Sequence, residues 1–227
     1  MKARRVRALA LLTCLLSLMV VGVSAYLRLS GAGLGCTDWP GCYGRVLSGV
    51  AHAPWEGARL VHRIVATLAL LAGILLVWRS WRPQPLQPAA RYATLLLALM
   101  LFLSVVGVWS SEPRVAWVNF INLIGGLGLV TFSWRVAITS EPSRLVERGR
   151  GGAVCRGAIA ALTLTVLLGG LIGARYAAPA CTTLPDCQGT WWPPMQGWTT
   201  LHPFVTLAGP TAPGEAGRPL AMISLSA

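Results

Sequence analysis

The sequence predicts an all-α, polytopic membrane protein with five transmembrane helices: one four-helix bundle plus the start of a second, pseudo-symmetric copy. Three observations predict it. Of 227 residues, 55% are hydrophobic and 11% charged, with mean hydropathy +0.62, where a soluble domain carries about 25% charged residues. The apolar residues are gathered into five long blocks, and the basic residues fall mainly on alternate connections between them. The balance excludes a disordered chain, a collagen and a small disulfide knot, and it argues against a soluble enzyme.

The first block runs uncharged from Leu9 to Val23 and extends to about Leu27. The basic residues before it and Val23-Ser24-Ala25 after it are similar to a signal peptide. It is read as a retained helix; its removal would leave Cys36 on the same side. The second block, Leu60 to Trp78, is interrupted only by His62 and Arg63 at its start. Tyr92 to Trp109 and Val115 to Trp134 are uncharged, and Ala158 to Ile172 completes the set between Gly157 and Gly173. Blocks of 15 to 20 residues span roughly 23–30 Å, one hydrocarbon core. Helix is the only open-chain structure that satisfies its backbone hydrogen bonds in lipid.

The net charge of +12 raises nucleic acid as a partner, but its distribution points to a bilayer. Lys2, Arg4, Arg5 and Arg7 precede the first block; Arg79, Arg82 and Arg91 join the second and third; Arg135, Arg144, Arg148, Arg150 and Arg156 join the fourth and fifth. These hold 12 of the 19 basic residues. The opposite segments spread Arg28, Arg45, Arg59, Arg114, Arg175 and Arg218 over much more chain. The positive-inside rule therefore places the N-terminus in the cytoplasm and the C-terminal tail outside. No soluble segment gathers Lys and Arg with aromatics into a nucleic-acid groove. An Arg- and Ser-rich transit peptide is missing, which favours a bacterial cell membrane over an organelle.

The external segments repeat a pattern. Cys36-Thr37-Asp38-Trp39-Pro40-Gly41-Cys42-Tyr43-Gly44 aligns with Cys181-Thr182-Thr183-Leu184-Pro185-Asp186-Cys187-Gln188-Gly189 at an offset of 145. Each follows the outer end of a predicted helix, so residues 1–150 read as a four-helix bundle with its Cys loop. Residues 151–227 read as the fifth helix and second Cys loop of an incomplete repeat. In an oxidising compartment, Cys36 with Cys42 and Cys181 with Cys187 read as disulfides, either a staple ordering each loop or a reversible dithiol that passes electrons. The spacing is wrong for zinc. Cys14 and Cys155 read as inert apolar packing.

Among the three histidines, His62 sits just inside the outer end of the second helix. A histidine at membrane depth is costly without a partner, and an imidazole between helices suits an axial ligand to haem iron. The alternative is a helix-end histidine bonded to a loop carbonyl. Arg59, one turn earlier, is nearer its face, while Arg63 points to another side; either can pair with a propionate at the lipid–water boundary. His52 reads as a solvated loop residue, and His202, before Pro203, is not assigned as a ligand. Trp191, Trp192 and Trp198 read as an interfacial aromatic belt.

Gly31-Ala32-Gly33-Leu34-Gly35 leading into the first Cys block, and His62-Arg63 opening the next helix, resemble the haem A synthase family of cytochrome oxidase assembly proteins. So do Arg175-Tyr176-Ala177-Ala178 and Gln188-Gly189-Thr190-Trp191-Trp192-Pro193-Pro194-Met195 in the second half. The resemblance implies eight helices in two four-helix bundles, one half holding a haem b cofactor between two histidines and the other receiving haem O. It implies an oxidoreductase that converts the C8 methyl of haem O to the formyl of haem A by successive hydroxylations. By it, His62 matches the iron ligand of the second helix, and Cys36 and Cys42 match the external disulfide loop. The implied partners are haem O and haem O synthase or other oxidase assembly proteins, beside the lipid bilayer that the apolar blocks require. Gly125, Gly126, Gly128, Gly169 and Gly170 permit close helix approach, for bundle packing or for self-association with a second copy.

Three departures from the family pattern stand out. Arg59 stands where the family often has an acidic residue, and Glu56, six before His62, is expected to face elsewhere. Asn122 falls about where a second histidine belongs, so the site is expected to hold haem through His62 alone. The chain ends at Ala227, about where a second His-Arg helix is due, and is read as C-terminally truncated, with oxidation needing more than this chain. Two other readings stand beside the synthase: a non-catalytic haem-binding assembly factor, and a quinone-linked thiol–disulfide membrane oxidoreductase.

Overall fold

The computed structural model describes residues 2–29, 54–107, 116–141 and 152–174. They form five helices: α1 (Lys2–Leu29), α2 (Pro54–Trp81), α3 (Ala89–Val106), α4 (Ala116–Thr139) and α5 (Ala153–Ala174). Among the described residues there is no strand. Each helix is long and apolar enough to cross a membrane, the shortest, α3, having 18 residues, or about 27 Å of rise. The protein is therefore an all-α, multi-pass membrane protein.

Each predicted block lies inside a helix that overruns it, with two exceptions. The third block runs past the end of α3 at Val106, and Val115, at the start of the fourth, lies outside the described residues along with the last two residues of the third. α1 takes in the basic residues from Lys2, α2 begins at Pro54, and α5 begins at Ala153 rather than Ala158. Proline suits the first position of a helix because its missing N–H has no intrahelical partner there. The apolar block marks the hydrocarbon slab, and the helix continues into the headgroup layers on either side.

The chain divides into two units, one comprising Met1–Pro113 with Gly125–Arg148 and the other Arg114–Ile124 with Gly149–Ala227. In the first, α1, α2, α3 and α4 from Gly125 share one core, with Val6 and Ala10 of α1, Ala69 and Leu76 of α2, Ala93, Leu96 and Met100 of α3, and Leu129 and Val136 of α4. Polar contacts gather the start of α1, the end of α2, the start of α3 and the end of α4 into one layer. Lys2 Nζ donates to the Gln84 carbonyl oxygen, and Arg7 Nη1 donates to Glu141 Oε2 at 2.9 Å. Trp81 Nε1 donates to Thr94 Oγ1 at 3.0 Å. Arg135 Nη2 donates to the Tyr92 hydroxyl at 3.0 Å, with its guanidinium carbon 5.0 Å from that ring's centroid. Successive helices α1 to α4 thus run up and down.

The interior of this unit is small and weakly polar, while its outside is large and apolar. Thr13, Ser17, Ser80 and Ser133 are fully buried, whereas Leu12, Leu15, Leu18, Leu71 and Phe102 are exposed. Lipid is as apolar as leucine, so burying large side chains adds little drive of its own and helices associate mainly through close packing. Three of these four hydroxyls bond back to their own helix: Thr13 Oγ1 to the Leu9 carbonyl at 2.9 Å, Ser80 Oγ to the Val77 carbonyl at 2.9 Å and Ser133 Oγ to the Leu129 carbonyl at 2.7 Å. Gly126 shows how close the approach is, since a Cβ there would lie 2.9 Å from Val21 Cγ2 of α1.

In the second unit, α5 meets the first turns of α4. A Cβ on Gly170 would lie 3.1 Å from Ile124 and 3.2 Å from Phe120. From Ala153 to Leu167 every residue of α5 is exposed, Val154 at 86% and Leu162 at 65%. Cys155 is exposed with them, contrary to the packing role expected of it, because nothing among the described residues covers those turns. Cys14, by contrast, is buried as expected, its Sγ 4.0 Å from the Val130 carbonyl oxygen.

Candidate functional site

The buried residues of α2 recur at Val65, Ala69, Gly73, Leu76 and Ser80. Steps of three and four keep these on one face of the helix. His62, three residues before Val65, continues that stripe towards the start of the helix and is half-buried. Eight residues separate it from Pro54, which puts it about 12 Å along the axis. It has no hydrogen-bond partner among the described residues, so its imidazole is a nitrogen donor turned towards the packed side of α2. Lodged in an apolar span, such a group costs several kcal/mol unless something engages it.

The two arginines differ. Arg59, one turn before His62, is half-buried, whereas Arg63 is exposed. This follows from the helix: three residues back returns close to the same face, and one residue on turns about 100° away. Glu56 is half-buried at the same end. Glu56, Arg59 and Arg63, with Tyr26 and Arg28 at the end of α1, each take part in a polar, ring or electrostatic interaction.

Asn122 belongs to the second unit. On α4 it stands four residues after buried Val118 and is half-buried, and its Nδ2 has no hydrogen-bond partner among the described residues. An unsatisfied buried amide costs about 1–3 kcal/mol. Asn122→Leu is therefore expected to leave thermal stability unchanged or to raise it by about 1 kcal/mol. A clear fall in unfolding temperature would mean that the amide holds a partner.

A third polar group was not anticipated from the sequence. Ser17 of α1 is fully buried, and its Oγ has no hydrogen-bond partner among the described residues. Its spacing of four from Thr13 and three from Cys14 was the available signal, since all three share one face of α1. The Cys36/Cys42 and Cys181/Cys187 pairs, His52, His202, Trp191, Trp192 and Trp198 lie outside the described residues. Among the described residues, no three His, Cys, Asp or Glu side chains come together as a metal-ion cage. Haem brings its own ring of nitrogens and asks the protein for one or two axial ligands. A half-buried imidazole with a half-buried guanidinium one turn away fits that demand.

Residues 7–59 match the family model described as cytochrome oxidase assembly protein. The chain is similar to the heme A synthase of Shewanella oneidensis, 29% identical over 217 residues, covering 85% of this chain and 64% of that relative. It is 27% identical over 191 residues to the heme A synthase of Halalkalibacterium halodurans, covering 79% and 62%. With that of Symbiobacterium thermophilum it shares 32% over 118 residues, 52% of this chain and 37% of the relative. The chain thus spans less than two thirds of the length of each of these relatives. No solved structure matches it. Five helices among the described residues that are able to span a membrane, a half-buried histidine near the start of the second, and similarity over most of the sequence lead to one conclusion: this chain is similar to heme A synthases.

Proposed function

We propose that this chain is a haem-binding membrane unit of haem A biosynthesis, serving cytochrome oxidase assembly, with His62 as an axial ligand to haem iron. The observation that carries the proposal is the position of His62, half-buried on the packed face of α2 and without a hydrogen-bond partner among the described residues. The similarity to heme A synthases supports the reaction class, oxidation of the haem O methyl group to the formyl group of haem A by an oxidoreductase.

Bound there, haem supplies a redox-active iron, and the chain's own residues hold and orient it. His62 offers a ring nitrogen to the metal. Arg59 supplies a cation for a propionate at the lipid–water boundary, where a guanidinium pairs bidentately with a carboxylate. Arg63, on an exposed face, meets a propionate only at the rim. The apolar outer faces of the helices keep water from the macrocycle. Cys36 with Cys42, and Cys181 with Cys187, form disulfides in the external loops. The basic connections place the N-terminus in the cytoplasm and the Cys loops outside a bacterial cell membrane.

The test is to purify the full chain from membranes making haem O and to extract its haem. Co-purified haem with a Soret band, together with haem A formed in those membranes, supports the enzymatic reading. Bound haem with no conversion identifies a non-catalytic assembly factor. A chain that carries no haem, and instead forms mixed disulfides when Cys36 or Cys42 is replaced singly, refutes the proposal and leaves a thiol–disulfide oxidoreductase.

A further inference from the structure

The layer where α1 and α3 begin and α2 and α4 end is far richer in charge than the haem reading uses. Among the described residues of this layer, Glu141 is the only carboxylate, and Arg7 engages it at 2.9 Å. Arg135 is committed to Tyr92 by a hydrogen bond and a cation–ring contact. That leaves Arg4 and Arg5 on α1, Arg79 on α2, Arg82 just beyond it and Arg91 on α3. All five are exposed, and none has an ion-pair or hydrogen-bond partner among the described residues.

The same layer carries exposed tryptophans: Trp78 at 64% and Trp81 at 42% at the end of α2, and Trp134 at 53% towards the end of α4. Indole, apolar with one polar edge, settles at the level of lipid headgroups. The rings thus mark the depth of the arginines, which lie on or just beyond the phosphate plane. Five guanidinium groups held by neighbouring helix ends repel one another unless an anion stands between them. A phosphodiester is the anion available at that depth, and its two non-bridging oxygens match the planar fork of arginine.

We propose that this end of the four-helix unit binds the headgroups of anionic glycerophospholipids, with Arg79, Arg82 and Arg91 forming the site at the α2–α3 connection and Arg4 and Arg5 extending it. The surface is assembled only when the helix ends are gathered, so the lipid binds the folded unit in preference to separated helices and stabilises it by linkage. This inference stands apart from the haem reading, because it draws on none of the residues placed around His62.

The full chain is reconstituted in phosphatidylcholine nanodiscs with or without phosphatidylglycerol. Retained lipid is counted by native mass spectrometry, and thermal unfolding is followed at low and high salt. Phosphatidylglycerol is expected to be retained above its bulk fraction and to raise the unfolding temperature, with both effects shrinking as salt screens the charges. In the Arg79→Gln/Arg82→Gln/Arg91→Gln variant most of the enrichment disappears while helix content is unchanged. If that variant fails to fold, Arg4→Gln/Arg5→Gln, near the start of α1, must lower the enrichment by itself. Equal retention of both lipids, enrichment undiminished in a folded variant, or the same stabilisation from inorganic phosphate in phosphatidylcholine discs overturns the proposal.

Discussion

Replacing His62 with alanine is expected to lower the haem retained by the purified chain at least about tenfold, since even groups that only support a metal ligand are worth 10- to 100-fold in affinity. The measurement is the Soret absorbance per protein, with the helix signal in circular dichroism as the control for folding. Free imidazole restores part of the absorbance, because a small base can enter the space the side chain leaves and coordinate the iron in its place. A variant merely damaged in packing would gain nothing from imidazole. Unchanged haem content in His62→Ala would remove the basis of the proposed function, and the inward stripe of α2 would then be packing alone.

The largest effect on stability is expected at the crossing of α1 and α4. A Cβ on Gly126 already lies 2.9 Å from Val21 Cγ2, closer than side-chain carbons tolerate. Gly126→Leu forces the two helices apart, and overpacking of this kind costs about 1–3 kcal/mol or more. The marginal stability of a folded unit cannot absorb many such losses. The expected result is loss of a monodisperse peak in detergent and a lowered unfolding temperature. Gly126→Ala has a milder effect, because Val21 can shift by a few tenths of an ångström. Gly169→Leu on α5 is the contrast: nothing lies within 4 Å of a Cβ there, and the position is exposed. It should behave as wild type in the same assays. If Gly126→Leu is equally silent, the helices do not cross as described.

The helices were legible in the sequence because the bilayer sets a hard requirement. A span needs about 20 predominantly apolar residues, and charges inside it are costly. Helix ends were less legible. Hydropathy at Leu9 and at Ala158 reports where hydrocarbon begins, whereas hydrogen bonding carries α1 back to Lys2 and α5 back to Ala153. The buried faces were harder still. In a soluble protein the apolar side marks the core, but here Ser17 and Thr13 are buried while Leu15 and Leu18 are exposed, so hydropathy does not separate inside from outside. The ranking of Arg59 and Arg63 around His62 was accessible, because it needs only the helical period. The pairing of Arg135 with Tyr92, across 43 residues, was not.

The sequence by itself determined that the chain carries five lipid-spanning helices, that His62 lies within the second, and which family it resembles. These are local properties of composition, spacing and motif. Tertiary structure alone decided that the stripe carrying His62 is the packed face of α2, that Gly126 is a crossing point, and that five arginines without an ion-pair partner among the described residues share a layer with exposed tryptophans. Helices surrounded by lipid meet through small residues and through hydrogen bonds between distant positions, and neither leaves a periodic signal strong enough to read along the chain.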